Sequence, residues 1–208
     1  MTVSHYSGLY AFSKALIHDL LPADVPRVIV IDSDVIFVDD VYSIWEQFRL
    51  FKRNQTVLGL VKWNPSLPTD YKYNGSNPDP FLTGIVLLDL NICRQIGFTE
   101  LLDEAIDFAY IHLGLRSLWT ADQVALSLFA TYFPHNFVAL PCFVNGHTFH
   151  YISNGLAWKS ICNGEYPRTL HVVPSDALLN KSNYFGYWYA AFNDMPLEWL
   201  SYCNIKQR

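Results

Sequence analysis

Long hydrophobic runs are absent from this sequence. No apolar stretch approaches the roughly 18–20 residues that cross a bilayer, and no signal peptide opens the chain. Low-complexity tracts, internal repeats and charged tails are absent as well, so the composition predicts no disordered tail. No linker-like boundary interrupts the 208 residues, and residues 1–208 are predicted to form a single domain with a sizeable core.

Positive charge is scarce. The chain has 14 Lys and Arg residues against 19 Asp and Glu residues, which gives a net charge of −5. General nucleic-acid binding needs a basic surface that attracts phosphates, so nucleic acid is excluded as a partner. An anionic ligand would have to bind through a local cation or a metal ion.

What the sequence does have is a globular composition, with 51% apolar, 16% aromatic and 16% charged residues. Helical and strand-like patterns alternate along it, and this alternation predicts an α/β fold. The predicted helices are residues 6–21, 41–51, 99–113, 121–133 and 187–200. The predicted strands are residues 28–31, 57–61, 85–88, 138–140 and 170–173.

Cysteines and glycosylation motifs favour an oxidising compartment. Cys142 and Cys162 flank a Gly/Asn-rich loop with a spacing too wide for a zinc knuckle, so a disulfide between them is predicted, with buried free thiols as the alternative. Asn54, Asn74 and Asn180 each begin an Asn-x-Ser/Thr acceptor motif for N-glycosylation. Both features favour a secretory lumen, which would require a targeting segment upstream of the chain.

The strongest local signal is a pair of carboxylates at the end of a strand. The apolar, β-branched residues 28–31 are expected to form a central strand buried on both faces, and they are followed by Asp32-Ser33-Asp34. Ligands of open α/β sheets bind beyond the carboxyl ends of strands, and two carboxylates one residue apart can share a hard divalent cation. The alternative is that Asp32 caps a turn and Asp34 is solvated.

Four further residues carry groups that chemistry could use. Asp122 and Gln123 open a predicted helix, where the carboxylate could simply favour the helix dipole. His171 lies at or within a short apolar strand, where a histidine is more often structural than a ligand. Lys14 lies on an otherwise apolar helix and would ordinarily be a surface residue.

The order of these residues resembles one enzyme family. The retaining glycosyltransferases of family 8, which have the GT-A fold, show the same succession of Lys14, Asp32-x-Asp34, Thr83-Gly84, Asp122-Gln123 and His171. Longer segments resemble the LARGE xylosyltransferase subgroup: Ser4-His5-Tyr6-Ser7-Gly8-Leu9-Tyr10, Leu58-Gly59-Leu60-Val61 and Leu140-Pro141-Cys142-Phe143. The resemblance covers nearly the whole chain and implies a Rossmann-like mixed sheet flanked by helices.

The resemblance also implies a role for each residue. The positions at which the family binds Mn²⁺, the cofactor that holds the diphosphate of a nucleotide sugar, are Asp32, Asp34 and His171. The implied donor-binding residues are Lys14, Ser33, Thr83 and Gly84. The implied catalytic pair, which lines the sugar pocket near the reacting carbon, is Asp122 and Gln123. A divalent cation would stabilise the negative charge that develops on the departing diphosphate.

The activity implied for this subgroup is transfer of xylose from UDP-xylose to a glycan acceptor on a glycoprotein, with retention of configuration. The sequence offers no isolated carboxylate that must be a nucleophile, so front-face attack is favoured over a covalent intermediate. The implied location is the Golgi lumen, with the full-length form a type II membrane protein.

The family also has a strand and a βα unit for the uracil and ribose ahead of the His5-Tyr6-Ser7-Gly8 segment. The chain is therefore expected to be incomplete at its N-terminus, lacking the first strands of the sheet. An incomplete sheet exposes an edge and an apolar face, so the isolated chain is expected to be unstable. A cooperative thermal melt of the 208 residues would contradict that expectation.

Departures from the family pattern support other functions. The family's Asn-Thr-Gly is Leu82-Thr83-Gly84 here, its Asp-Gln-Asp is Asp122-Gln123-Val124, and its usual lysine is missing after His171. Each change removes a polar contact with the donor, and this favours a catalytically degenerate glycan- or partner-binding relative as the main alternative. A haloacid-dehalogenase-like phosphatase is a minor alternative, because Asp32-x-Asp34 after a strand also resembles the nucleophile motif of that family.

Overall fold

Strands and helices alternate along the chain, as the sequence predicts. The computed structural model describes residues 2–3, 8–62, 81–118, 120–147, 165 and 167–171. The helices are α1 (Ser13–Leu20), α2 (Tyr42–Trp45), α3 (Leu90–Ile96), α4 (Phe98–His112) and α5 (Asp122–Tyr132), with 3-10 turns before α1 at Gly8–Phe12 and after α2 at Glu46–Leu50. The strands are β1 (Thr2–Val3), β2 (Arg27–Ile31), β3 (Val35–Phe37), β4 (Leu58–Lys62), β5 (Phe81–Asp89), β6 (Ser117–Leu118), β7 (Phe137–Leu140), β8 (Gly146–His147) and β9 (Thr169–His171).

The main sheet contains four of the described strands, in the order β2-β5-β4-β7. Strand β5 runs antiparallel to both β2 and β4, and β7 runs parallel to β4. Residues of α1, α3, α4 and α5 pack on one face of this sheet, and residues of α2 and the following 3-10 turn pack on the other. The predicted mixed α/β architecture is therefore confirmed.

Strand β5 is the centre of the core. All nine of its residues are buried. Successive side chains of a strand point to opposite faces, and accordingly Val86 and Leu88 pack with one helical layer while Ile85 and Leu87 pack with the other. A strand covered on both faces is apolar throughout, which explains why residues 85–88 show no alternation of polar and apolar side chains.

The strand that precedes the two aspartates is less buried than predicted. Residues 28–30 are half-buried, and both Arg27 and Ile31 are exposed. Within the described part of the chain β2 pairs with β5 alone, so it lies at an edge of the sheet. The expectation of a central strand buried on both faces is therefore wrong here, and β5 takes that position.

Strand β5 also begins earlier than its predicted counterpart. The sequence predicts a strand at residues 85–88, whereas β5 begins at Phe81 and includes Leu82, Thr83 and Gly84. Leu82 is only 3% exposed and packs in the cluster that contains Val61. The residue at which the family has an asparagine is thus part of the apolar core in this chain.

A second, three-stranded sheet carries His171. Its order is β3-β9-β8, with β3 antiparallel and β8 parallel to β9. Val35, which follows the two aspartates closely, pairs with His171. Thr169 is fully buried, and its hydroxyl donates to the carbonyl of Val144 at 2.6 Å. These contacts fix β9 beside the chain segment that bears the aspartates.

Arg94 holds the connection between α1 and β2 against α3. Its guanidinium donates to five main-chain carbonyls at 2.9–3.4 Å, those of His18, Leu21, Pro22, Ala23 and Val25. The last carbonyls of a helix have no partner within the helix, and the planar guanidinium can reach several of them at once. This one side chain therefore fixes how α1, which carries Lys14, enters the fold.

The cysteines differ in state. Cys93 is a buried free thiol, and its burial, with the charge of Asp89 adding to the effect, raises the pKa of the thiol to about 12. A thiol with such a pKa is unreactive at neutral pH. Cys142 is disulfide-bonded. Its predicted partner Cys162 lies outside the described residues, so the pairing stays a prediction.

Of the three predicted glycosylation sites, only Asn54 lies within the described residues. Asn54 is exposed, in a turn where its φ is 58°. Asn74, Asn180 and the predicted helix at residues 187–200 lie outside the described residues, and glycosylation stays a prediction at all three asparagines. No helix in the described ranges is long and apolar enough to cross a membrane.

Replacing Arg94 by lysine should destabilise the protein although the charge is kept. A lysine ammonium cannot present the planar fork that reaches five carbonyls, so several of them lose their partner. The expected loss in the free energy of unfolding is about 2 kcal/mol, measured by urea unfolding followed by circular dichroism. Arg49→Lys, at an exposed position, is the matched control, and an equal effect of the two changes would contradict the role of Arg94.

Candidate active site

The two aspartates lie on a tight turn where β2 leaves the main sheet. The N–H of Asp32 donates to the carbonyl of Gly84 at 2.9 Å, and the N–H of Val35 donates to the carbonyl of Asp32 at 3.1 Å. The turn leaves Ser33 exposed and both aspartates half-buried. The main chain therefore fixes the carboxylates relative to β5, and Ser33 faces solvent.

His171 faces both carboxylates. Its Nε2 lies 3.2 Å from Asp34 Oδ1 and 3.8 Å from Asp32 Oδ2. One ligand atom from each of the three residues lies within 4.8 Å of the others, so the group could hold a metal ion. Two carboxylate oxygens and an imidazole nitrogen suit a divalent cation, and Mn²⁺ is among the metals that accept such ligands. The residues present therefore fit the metal that the resemblance implies.

Asp34 is held in its ionised form. Burial raises its pKa, but the hydrogen bond and the charge of His171 outweigh burial and hold the pKa of this carboxyl below its ordinary value. Metal ions bind carboxylates in the deprotonated form. The surroundings of Asp34 thus favour the form that a cation requires.

Lys14 lies between two carboxylates rather than at the surface. Its Nζ is 2.6 Å from Asp32 Oδ1 and 2.8 Å from Asp122 Oδ2, and it donates to the carbonyl of Thr83 at 3.0 Å. The side chain of Lys14 is only 13% exposed, and that of Asp122 only 9%. Lys14 therefore joins α1, the turn after β2, strand β5 and the start of α5 at one point.

The carboxylates keep the lysine charged. Burial lowers the pKa of Lys14, but the charges of Asp122 and Asp32 outweigh burial and raise the pKa above its ordinary value. We call Lys14, Asp32, Asp34, Asp122 and His171 the charged cluster. The cluster contains three carboxylates and one ammonium, so its carboxylates outnumber its ammonium by two, and a divalent cation would neutralise this excess.

An unusual backbone turn presents Asp122. Ala121 has φ 46° and ψ −108°, and the N–H of Gln123 donates to the carbonyl of Thr120 at 3.0 Å. These values lie close to the first central position of a type II′ turn, which glycine normally occupies. A residue with a side chain in such a conformation costs about 1–3 kcal/mol, and such strain concentrates at functional sites.

The other predicted residues lie around the charged cluster. Thr83 is buried and contacts Lys14 through its carbonyl rather than its side chain. Gln123 follows Asp122 in the first turn of α5 and is half-buried. Val124, where the family has a further carboxylate, packs at the edge of an apolar cluster with Leu128. The residues after His171 that lack the family's lysine lie outside the described ranges.

Two features of the site have little signal in the sequence. The ion pair between Lys14 and Asp122 joins residues 108 positions apart, and nothing in the sequence near either residue predicts that they pair. The positive φ of Ala121 could not be predicted either, because a positive φ is normally indicated by a glycine and this residue is an alanine.

Comparison with known proteins shows which family the chain belongs to. The chain is 32% identical over 146 residues to human xylosyl- and glucuronyltransferase LARGE1 and 33% identical over 146 residues to mouse xylosyl- and glucuronyltransferase LARGE2. The chain is homologous to the LARGE glycosyltransferases. The matched segment is 68% of this chain but only 19% of human LARGE1 and 21% of mouse LARGE2, so the chain spans about a fifth of these relatives. No protein-family model matches the chain.

Solved structures give the same fold. Mouse xyloside xylosyltransferase 1 in its apo form matches with a TM-score of 0.58 at 20% identity, over 83% of this chain and 69% of that protein. The galactosyltransferase LgtC, solved with donor and acceptor sugar analogues, matches with a TM-score of 0.58 at 14% identity, over 91% of this chain and 69% of LgtC. The GT-A fold is therefore confirmed, and this fold gives no support to the phosphatase alternative.

Removing the ammonium should destabilise the protein. Lys14→Met leaves the buried carboxylate of Asp122 and the half-buried carboxylate of Asp32 without their cation, and a loss of about 3 kcal/mol in the free energy of unfolding is expected. Adding Asp122→Asn should recover part of that loss, because it removes one uncompensated charge. Urea unfolding of the two single variants and the double variant measures the coupling, which should be about 1 kcal/mol or more. Strictly additive effects would contradict the ion pair.

Proposed function

We propose that this chain is the catalytic part of a metal-dependent retaining glycosyltransferase that uses a nucleotide-sugar donor and a glycan acceptor. The observation that carries the proposal is the charged cluster at the edge of a GT-A sheet, with Asp32, Asp34 and His171 able to hold one metal ion. Homology to the LARGE glycosyltransferases supports the same class of reaction. On this proposal residues 1–208 act as one catalytic domain.

The metal site would serve the leaving group. When bound, Mn²⁺ would act as a Lewis acid that stabilises the negative charge developing on the departing diphosphate. Asp32, Asp34 and His171 would hold the ion, since they offer two carboxylate oxygens and a ring nitrogen in one place. A neutralised cluster would accept the anionic donor, whose approach the excess negative charge of the carboxylates would otherwise oppose.

Lys14 would complete the electrostatics of the donor site. Its ammonium is preorganised by Asp32 and Asp122 at 2.6 and 2.8 Å, so no reorganisation is needed when charge develops nearby. Because Lys14 engages Oδ1 of Asp32, the other oxygen of that carboxylate remains directed at His171. Lys14 would therefore act both on the donor phosphates and on the orientation of a metal ligand.

The arrangement of carboxylates favours front-face attack. Asp122 and Gln123 open α5 beside the charged cluster and would orient the sugar. Asp122 is paired with Lys14, and Asp32 and Asp34 belong to the metal group, so none of the three is an isolated nucleophile. The acceptor hydroxyl would attack on the side that the diphosphate leaves, and a diphosphate oxygen would take its proton.

The proposed donor is UDP-xylose, because the relatives are named xylosyl- and glucuronyltransferases and the solved neighbour acts on xylosides. Xylose lacks the hydroxymethyl group of glucose, so discrimination between the two sugars depends on the shape of the pocket. A panel of UDP-xylose, UDP-glucuronate and UDP-glucose tests this point. The proposed compartment of the protein is the Golgi lumen, with a membrane anchor of type II and a glycoprotein as the acceptor substrate.

Calorimetric titration of UDP with and without Mn²⁺ tests the proposed function. We expect UDP to bind more than about 10-fold more tightly with Mn²⁺, and Asp34→Ala to abolish that difference because a metal ligand is lost. Asp103→Ala, which removes an exposed carboxylate on α4, is the matched control and should keep the metal dependence. The chain and a form extended upstream are both titrated, since the chain spans only about a fifth of the relatives that it matches.

Each result has a defined meaning. Metal-dependent binding that Asp34→Ala removes and Asp103→Ala keeps would support the transferase site. Metal-independent binding, or no binding by a folded extended protein, would contradict it and favour the degenerate glycan- or partner-binding relative. The substitutions at Leu82 and Val124 are the observations that motivate that alternative, because both side chains pack among apolar residues instead of offering polar groups.

A further inference from the structure

We infer that Gly84 is a positioning residue for His171 in the proposed metal site. The inference rests on the proposed function and gives this glycine a role other than contact with the donor. The role arises from two contacts of the same residue: its carbonyl binds the main chain of Asp32, and its missing side chain admits the ring of His171.

The ring of His171 lies directly on strand β5 at Gly84. A Cβ atom at residue 84 would come within 2.7 Å of Cε1 and 2.9 Å of Cγ of the ring, and closer still to Nδ1. Non-bonded carbon atoms normally stay about 3.5–4.0 Å apart. Every residue other than glycine would therefore have to displace either the strand or the ring.

Neither backbone can yield easily. Gly84 lies within a strand whose nine residues are all buried, and its carbonyl accepts the N–H of Asp32 at 2.9 Å. The backbone of His171 is held from both sides, because its Cα pairs with Val35 on one neighbouring strand and with His147 on the other. An added methyl group at residue 84 would therefore act mainly by turning the imidazole ring.

Turning the ring would misplace the ligand atom. The imidazole is rigid, so a displacement at Nδ1 and Cγ also moves Nε2, the atom that faces Asp34 Oδ1 at 3.2 Å and Asp32 Oδ2 at 3.8 Å. Normal contact with a Cβ would require the ring to move by roughly 1 Å. Metal–ligand distances tolerate only about 0.2 Å, so the three ligand atoms could no longer meet one ion.

A Mn²⁺ titration of Gly84→Ala in the presence of UDP tests the inference, with free Mn²⁺ measured by electron paramagnetic resonance. The Kd for Mn²⁺ should rise about 10- to 100-fold, as expected when the support of a ligand is lost. His171→Ala should cause a similar rise. The double variant should be no weaker than His171→Ala alone, because Gly84 acts through the ring that this variant lacks.

Gly59→Ala is the matched control. Gly59 lies on β4, the strand next to β5. A Cβ atom added at Gly59 would lie 3.0 Å from the side chains of both Leu140 and Phe51, and rotation of these side chains can relieve the contact. This variant should keep the Kd for Mn²⁺ within about two-fold of the wild type. Equal losses in Gly59→Ala and Gly84→Ala would overturn the inference, since any glycine of the sheet would then suffice.

A stability cycle keeps the inference testable if Gly84→Ala folds poorly. The added methyl group clashes with the ring of His171, so His171→Ala should restore the stability that Gly84→Ala loses, measured as the midpoint of thermal unfolding. If Gly84→Ala lowers the midpoint as much in the His171→Ala background as in the wild type, the inference is overturned. Unchanged Mn²⁺ affinity in Gly84→Ala would overturn it while leaving the proposed function intact, whereas a wild type that binds no Mn²⁺ would overturn both.

Discussion

One buried ammonium determines the geometry of the site. Lys14 contacts the carboxylates of Asp32 and Asp122, which come from a strand end and a helix start. A carboxylate as buried as that of Asp122 is costly unless a cation accompanies it, and Lys14 supplies that cation while also contacting the half-buried Asp32. Lys14 engages only one oxygen of Asp32, so the other oxygen faces His171. The ammonium that joins α1, the turn after β2, β5 and the start of α5 therefore also orients a proposed metal ligand.

The elements of the fold were largely predictable because apolar spacing reports helices well. Helices α4 and α5 follow the predicted residues 99–113 and 121–133 almost to the residue. Burial was less predictable, since the β-branched composition of residues 28–31 indicates that a strand forms but not which neighbours cover it. The start of β5 was missed because Thr83 and Gly84 resemble a loop, whereas pairing with β4 and the hydrogen bond from Phe81 N–H to the Ser127 hydroxyl extend the strand.

The sequence predicts which residues form the site better than it predicts which of them contact each other. The resemblance to family 8 named Asp32, Asp34 and His171, and these three lie close enough to share an ion. The contacts that support them were not predictable, because each depends on the distance between elements that are remote in sequence. The bond of Lys14 to Asp122 and the closeness of Gly84 to His171 are of this kind. All four residues belong to the succession that resembles family 8, but that succession does not show which of them touch.

The proposed function requires that Asp32, Asp34 and His171 bind one divalent cation. Anomalous scattering from crystals grown with Mn²⁺ and UDP tests it most directly, because the signal locates the metal without reference to activity. We expect one strong peak within about 2.0–2.3 Å of an oxygen of each aspartate and of His171 Nε2. No peak at this position, or a peak out of reach of His171, would contradict a shared metal site at these three residues.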